Sequence, residues 1–544
     1  MRKTNTLRIK ELCSVKGGSK FGLKLGLGGR AGLNRTGHDL AASPCPSATE
    51  RSEVTLECVL LSAKGCDSCP VPAGLNMPAL LLALFLGVPS LMAVDRYVAH
   101  GTNNPDGSYQ SWATAASNIH DAVGVAVSGE TVWVGPGTYR RAGVASVVDI
   151  AKSIHLRGAE GPEHTIIDGE NARRGLFIDA RTLVDADLLI EGLTIANGRT
   201  GGYGGGVSFF HGDDVVTGTG TGVIDNCVIT NCEITAEAPY YGGGGVYIRG
   251  RTPHSTDFLA VVRDCTISDN RIPGRSGGAG LATRDSLVLV EDCRILNNRM
   301  TVSIYSGGGI YMLTPVAGSI VRNSLIAGNA AGDGGGVNVG GGVLIDRCII
   351  RDNLATRYAG GVHIASSPIS VVRNCLVYNN RSSSRGSGIA SRGAGFLLEN
   401  TTVTSNRNTT VGGWCSGGVL LENATDTSYI RNSIIDQNYT AAGGHLNFVR
   451  EYSVVPVITN SCITAYAALP PGCGNLSVPP EFIDFNAQNF RLSRSSPCID
   501  AGFQQTWMTG AHDLDGHSRM DRFSGMVDMG CYEHQPRGVM YMVR

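Results

Sequence analysis

The chain is poor in aromatic residues (6%), modest in charge (17% Asp, Glu, Lys and Arg) and almost without net charge, at −1 over 544 residues. Near-neutrality removes any global electrostatic argument for nucleic acid or an anionic membrane as partner. Scarce aromatics beside 74 glycines, which follow no collagen period, point away from a helical enzyme and toward a turn-rich β protein. Long hydrophobic runs are also scarce. Residues 77–93, MPALLLALFLGVPSLMA, match the length of a signal-peptide core and are short for a membrane span. They predict export, with cleavage after Ala93 and a mature start at VDRYVAHG. The preceding 76 residues carry five cysteines and no sustained period, and read as an over-extended gene start or a disordered leader. Cys66 and Cys69 there form a lone CxxC, too little for a metal or redox motif.

What the chain does have is one phrase rewritten many times, as in VVRNCLVYNN (371–380) and VEDCRILNN (290–298). With its small residue as position zero, the copies fall at Cys227, Cys265, Cys293, Ser324, Cys348, Cys375, Thr401, Ser433 and Ser461. Positions −3 and +2 are aliphatic throughout, as in Val372 and Val377, and asparagine stands at +5 from Asn270 to Asn438. A glycine cluster such as GGGV at 334 precedes most copies. Short alternating apolar runs between Gly and Asn turns mean strands, and a strand phrase at a period of 20–50 residues means a solenoid. Identical phrases then stack about 4.8 Å apart, so each position builds a ladder. The fold expected is all-β, a right-handed parallel β-helix of ten to twelve coils over 151–465, with an entry region at 94–150 and an irregular cap at 466–544.

Position −2 tests that stacking. It reads Asp225, Arg263, Glu291, Arg322, Asp346, Arg373, Glu399 and Arg431 before Thr459, alternating in sign at every step. Opposite charges directly opposed across neighbouring strands attract and like charges repel, so in-register stacking predicts this alternation. The face is therefore expected to be structural, its charges cancelling.

At the N-terminal side, SWATAASNIHDAVGVAVSGETVWVGPGTY (111–139) begins with an amphipathic helix carrying Ile119, Ala122, Val123 and Ala126. It resembles the entry coil of pectin-lyase-like β-helices, in which such a helix caps the barrel. Beyond Asn460, SPCIDAG (496–502), DLDG (513–516) and VDMGCYE (527–533) resemble the C-terminal region of bacterial choice-of-anchor Q domain-containing proteins. Together the two resemblances cover most of 95–535. They imply a cell-surface or secreted protein of the pectin-lyase-like superfamily.

The candidate functional residues lie beside the Asn ladder. Arg271, Arg299, Arg381 and Arg407 follow it directly, and Arg199, Arg275, Arg357 and Arg385 fall in the same loops, against Glu233, Glu237 and Asp333. Tyr203, Tyr241, Tyr305, Tyr358 and Trp414 stand just before the glycines. Stacked in register, these make a basic, ring-bearing strip; arginine pairs bidentately with carboxylate or sulfate, and flat rings pack on sugar faces. An extended acidic polysaccharide is the ligand such a strip suits, and solvated arginines covering loop backbone are the plainer reading. The main expectation is a monomeric, exported, non-catalytic binding or adhesive module. The alternative is a polysaccharide lyase with an arginine neutralising a uronate and Tyr241, Tyr305 or His363 as base. No cofactor is expected, Ca²⁺ aside: Asp513, Asp515 and Asp521, with Asp528, form either an oxygen-ligand loop or a turn whose carboxylates cap amides. Cys462 with Cys473, and Cys498 with Cys531, are the disulfide candidates in an exported chain, and the coil cysteines are expected as buried small residues.

Overall fold

A computed structural model describes residues 94–101, 106–181, 183, 185–210, 219–235, 242–250, 256–274, 277–301, 306–410, 415–452, 454–521 and 524–535. The expected leader and signal segment lie outside the described residues. The chain winds as a right-handed parallel β-helix of about eleven coils. Each full coil visits four sheets in turn. Sheet I has 13 strands, from Arg96–Val98 to Val457–Thr459, and sheet II has 12, from Gly137–Tyr139 to Cys462–Ile463. Sheet III has 8 two- to five-residue strands, from Arg199–Thr200 to Arg407–Asn408, and sheet IV has 11, from Ser146–Ile150 to Phe448–Glu451.

One coil shows how the phrase does this. Ser370–Arg373 lies in sheet I, Asn374 turns the chain at φ 54°, and Leu376–Tyr378 lies in sheet II. Asn379, again at φ 54°, bends it into Arg381–Ser382 of sheet III, and Ile389–Arg392 forms the strand of sheet IV. Asparagine suits both bends because its short polar side chain tolerates the left-handed region. Val372 and Val377 point into the core with every other aliphatic at −3 and +2.

Two buried ladders fix the register. Each +5 asparagine donates from Nδ2 to the Oδ1 of the next, at 2.9–3.0 Å from Asn270 through Asn298, Asn329, Asn353, Asn380 and Asn406 to Asn438. The same Oδ1 accepts a backbone N–H, as from Asn329 to Asn353, and Nδ2 also donates to a carbonyl of the preceding coil, as Asn353 to Ile326. Glycines of sheet IV approach this ladder closely: a Cβ on Gly336 would lie 2.8 Å from the Gly361 carbonyl and 2.9 Å from Asn353 Nδ2. The position-zero residues do more than fill space. Cys348 N–H donates to Cys375 Sγ at 3.4 Å and Cys375 N–H to Thr401 Oγ1 at 3.3 Å, so this column needs a small side chain that can accept a hydrogen bond.

The sheet I charges stack as the alternation requires, Asp346 opposite Arg373 and Arg373 opposite Glu399. Arg263 pairs with Asp225 at 2.6 Å, Arg373 with Asp346 at 3.1 Å and Arg431 with Glu399 at 3.6 Å. Helix α1 (Ile119–Val125), capped by Asn118 accepting the Asp121 N–H, buries Ile119, Ala122 and Val123, with Ala126 beyond it, into the core at the first coils. The cap beyond residue 466 carries one antiparallel pair, Phe482–Asp484 with Asn489–Leu492. It docks on the turn between sheets I and II: Asn400 Nδ2 donates to the Asp528 carbonyl and Asn432 exchanges bonds with Phe503. Arg519, fully buried, donates to the Gly530 carbonyl and pairs with Glu533 at 2.9 Å.

The cysteine expectation needs correction. Neither the Cys462–Cys473 nor the Cys498–Cys531 bridge is formed. The Cys462 thiol meets Cys498 instead, a contact that with burial pushes it up, and both pack with Leu492 and Met529. Cys531 lies in a separate cluster with Phe490 and Tyr532, and Cys473 belongs to a turn whose carbonyl accepts the Asn460 N–H.

Candidate functional site

The arginines after the Asn ladder form a column along sheet III. In register it reads Arg199, Glu233, Arg271, Arg299, Ala330, Leu354, Arg381 and Arg407, with Tyr439 bridging beyond. Arg271 and Arg199 share Glu233, at 2.6 and 3.5 Å. Above that carboxylate the sign stops alternating. Arg299 stacks directly on Arg271 and Arg407 on Arg381, all four exposed. Like charges directly opposed across a ladder are unfavourable, in contrast to the compensated face of sheet I. The exposed Leu354 and half-buried Ala330 separate the two pairs.

The rings do not join that column. Tyr203 stacks on Tyr247 of sheet IV, with centroids 4.6 Å apart, and Tyr358 stacks on His363 of the same sheet at 5.3 Å. Tyr241, Tyr305, Trp414 and Arg275 lie outside the described residues. The expected single strip is thus two features, an arginine column on sheet III and tyrosines folded over sheet IV. Each of these two rings stands just before a left-handed residue, Gly204 at φ 64° and Ala359 at φ 46°, at the bend into sheet IV.

Around Tyr358 the second feature becomes a charged cluster. The guanidinium carbons of Arg357, Arg385 and Arg392 lie 5.8, 5.8 and 5.4 Å from its ring centre. Arg357 Nε is 3.3 Å from Asp333, and Arg385 reaches Glu422 at 2.6 Å and Glu451 at 3.4 Å. Burial pushes the Asp333 carboxyl up to about 6, against the opposing pull of Arg357. Burial likewise raises the Tyr358 hydroxyl. His363 is held neutral, its pKa lowered to about 3 by burial and by Arg357 and Arg392. Its Nδ1 accepts from Asn338 Nδ2 at 3.0 Å, so the ring proton sits on Nε2 beneath Tyr358. That arrangement does not suit His363 to the role of base. Arg392, Glu422 and Glu451 escaped the sequence reading because they sit at the end of successive sheet IV strands, paired across a coil. Each is the third residue after the apolar residue that opens its strand, Ile389, Val419 or Phe448.

In the cap, the acidic group that converges is Asp513, Asp515 and His517, whose donor atoms lie within 4.8 Å of one another. Asp521 is not among them; it accepts the Ser524 N–H at 2.7 Å in its own turn. Asp513 accepts amides of Asp515, His517 and Glu533, and Arg491 holds Asp515 through two bonds of 2.5 and 2.6 Å. Asp513 thus serves as an amide acceptor and Asp515 as an ion-pair partner.

A family model described as the right handed beta helix region matches residues 174–307 and 300–435. No curated protein matches the chain. Among solved structures it is similar to pectate lyase Pel9A at 13% identity, covering 81% of this chain and 97% of that one, with a TM-score of 0.36. It is also similar to the A-module of mannuronan C-5 epimerase AlgE6 from Azotobacter vinelandii (15%, 67% and 97%, TM-score 0.32) and to rhamnogalacturonan lyase (14%, 80% and 99%, TM-score 0.25). At such identities the likeness says nothing of chemistry. No helix among the described residues is long and apolar enough to cross a membrane.

Proposed function

We propose that this is an exported, non-catalytic β-helix module of bacterial type that lies along an acidic extracellular polysaccharide. The arginine column of sheet III is the grip. The observation that carries this reading is the stacking of Arg299 on Arg271 and of Arg407 on Arg381 with no carboxylate between the members of either pair. Two cationic rungs, a short apolar interval and two more cationic rungs suit a linear chain bearing carboxylates at intervals. The charged face of sheet I, cancelled internally, offers no such grip. In affinity electrophoresis through gels containing polygalacturonate, the full chain is expected to be retarded. An Arg381→Ala/Arg407→Ala variant should lose at least about tenfold in affinity, since each charge-assisted bond contributes about 1.5–3 kcal/mol. Unretarded migration, or retardation indifferent to the double substitution, overturns the reading.

One observation favours a second reading. Asp333, a carboxyl raised to about 6 beside Arg357, is of the kind that general acid–base chemistry uses. Unsaturated-uronate absorbance appearing with the full chain and vanishing in Asp333→Asn would replace the binding module with a lyase.

A further inference from the structure

Along the turn from sheet I to sheet II, every coil from Asn226 to Asn460 places one residue in the left-handed region just before position zero. It is Asn or Asp in each of them save one, where Arg347 stands at φ 50°. A long side chain there is strained backbone with no local hydrogen bond to compensate it, and such outliers concentrate where a ligand is held. The half-buried Arg347 lies at the seam where the cap covers this turn, and it borders two openings at once. One, of about 450 Å³, is lined also by Ser324, Asp513 and Gly516; the other, of about 210 Å³, by Asn374, Trp507 and His512.

The other charges of the seam are accounted for. Arg373 holds Asp346 at 3.1 Å and stacks on Trp507 at 4.5 Å; Arg491 holds Asp515, and Asp513 is taken by three amides. No side-chain partner of Arg347 is found among the described residues. Beside it, Asn374 is 1% exposed, and its Oδ1 accepts no hydrogen bond. Its Nδ2 donates to Asp346 at 3.2 Å. In the coils above, Asn432 gives its amide to Asn400 Oδ1; the Asn400 amide turns instead to the Asp528 carbonyl of the cap, so Asn374 Oδ1 receives nothing from its neighbour. A buried acceptor in that state leaves a desolvation cost that a donor would relieve.

We infer that this seam binds a single sugar acid, with Arg347 taking the carboxylate, Asn374 Oδ1 accepting a hydroxyl, and Trp507 walling the sugar. A carboxylate supplies the one negative charge that Arg347 lacks. A multiply charged phosphate would meet Asp346, Asp513 and Asp515. The hydroxyl supplies the donor that Asn374 lacks, which an inorganic anion without protons cannot do. The site stands apart from the sheet III column and does not depend on it.

Titration of the full chain with sodium galacturonate, followed by calorimetry and tryptophan fluorescence, tests this. Saturable binding is expected, and Arg347→Asn, which restores the residue type of the other coils, should weaken it at least tenfold while leaving the melting temperature equal or higher. Arg347→Asn should leave the retardation by polygalacturonate unchanged, so the seam and the sheet III column succeed or fail separately. No saturable binding by the folded chain, equal binding by Arg347→Asn, or equally tight binding of galactose or sulfate overturns the assignment.

Discussion

At the scale of the residue, one property of this chain is its choice of cation. From residue 94 onward every lysine-or-arginine position except Lys152 is arginine. Arginine offers a planar fork of donors that pairs bidentately, lies on rings and keeps its charge when half buried. All three uses occur, in the ladder of sheet I, over Tyr358 and Trp507, and on the column of sheet III. The buried acids around Tyr358 make the clearest residue-level prediction. Asp333 titrates at about 6 in the folded chain against 3.8 for an ordinary aspartate, burial outweighing Arg357. The folded state therefore binds the proton more tightly than the unfolded state between those values. Stability from this group is present below the lower value and falls as pH rises through the upper one, by on the order of 3 kcal/mol. Melting temperatures of Asp333→Asn and the parent chain should converge near pH 4 and diverge in favour of Asp333→Asn near pH 8. A difference independent of pH would show that Asp333 ionises normally. This behaviour was illegible in the sequence, where Asp333 is one acid beside a glycine turn; in the fold it lies buried against the next coil, accepting the Tyr358 N–H at 3.3 Å with Arg357 beside it.

At the scale of the element, the phrase itself was legible because a parallel stack repeats its demands. Aliphatics at −3 and +2, asparagine at +5 and alternating charge at −2 each satisfy a neighbour of the same kind one coil away. What a pattern of residue sizes could not show is the hydrogen-bond role of position zero, since cysteine, serine and threonine there look like small core residues. Nor could it place the rings, which stack on residues of sheet IV, or the cap, which is irregular and meets the coils far away in sequence, Asn432 with Phe503. The Asn ladder gives the element its test. Asn353→Ala removes the acceptor for Asn329 and the donors to Asn380 and the Ile326 carbonyl. Each buried group left unmade costs about 1–3 kcal/mol, so the loss should be several-fold larger than for an exposed asparagine. Denaturant unfolding would show it as a lower midpoint at similar slope; an unchanged midpoint would mean that the ladder is decoration.

At the scale of the molecule, stacked coils turn single side chains into lines of charge. Sheet I carries a line that cancels, Asp346 against Arg373 against Glu399, and spends it on register. Sheet III carries a line that cancels only in part, Arg299 on an Arg271 already paired with Glu233 and Arg407 on Arg381, and an excess of positive charge along a rigid scaffold is suited to a linear polyanion. That contrast between two faces of one solenoid is the core of the functional account. It is tested most directly by an arginine-modification footprint of the full chain, with and without saturating polygalacturonate, read by peptide mass spectrometry. Protection of Arg271, Arg299, Arg381 and Arg407, with Arg263 and Arg322 of sheet I unchanged, is the predicted result. Absence of protection on sheet III, or equal protection of both faces, would contradict it.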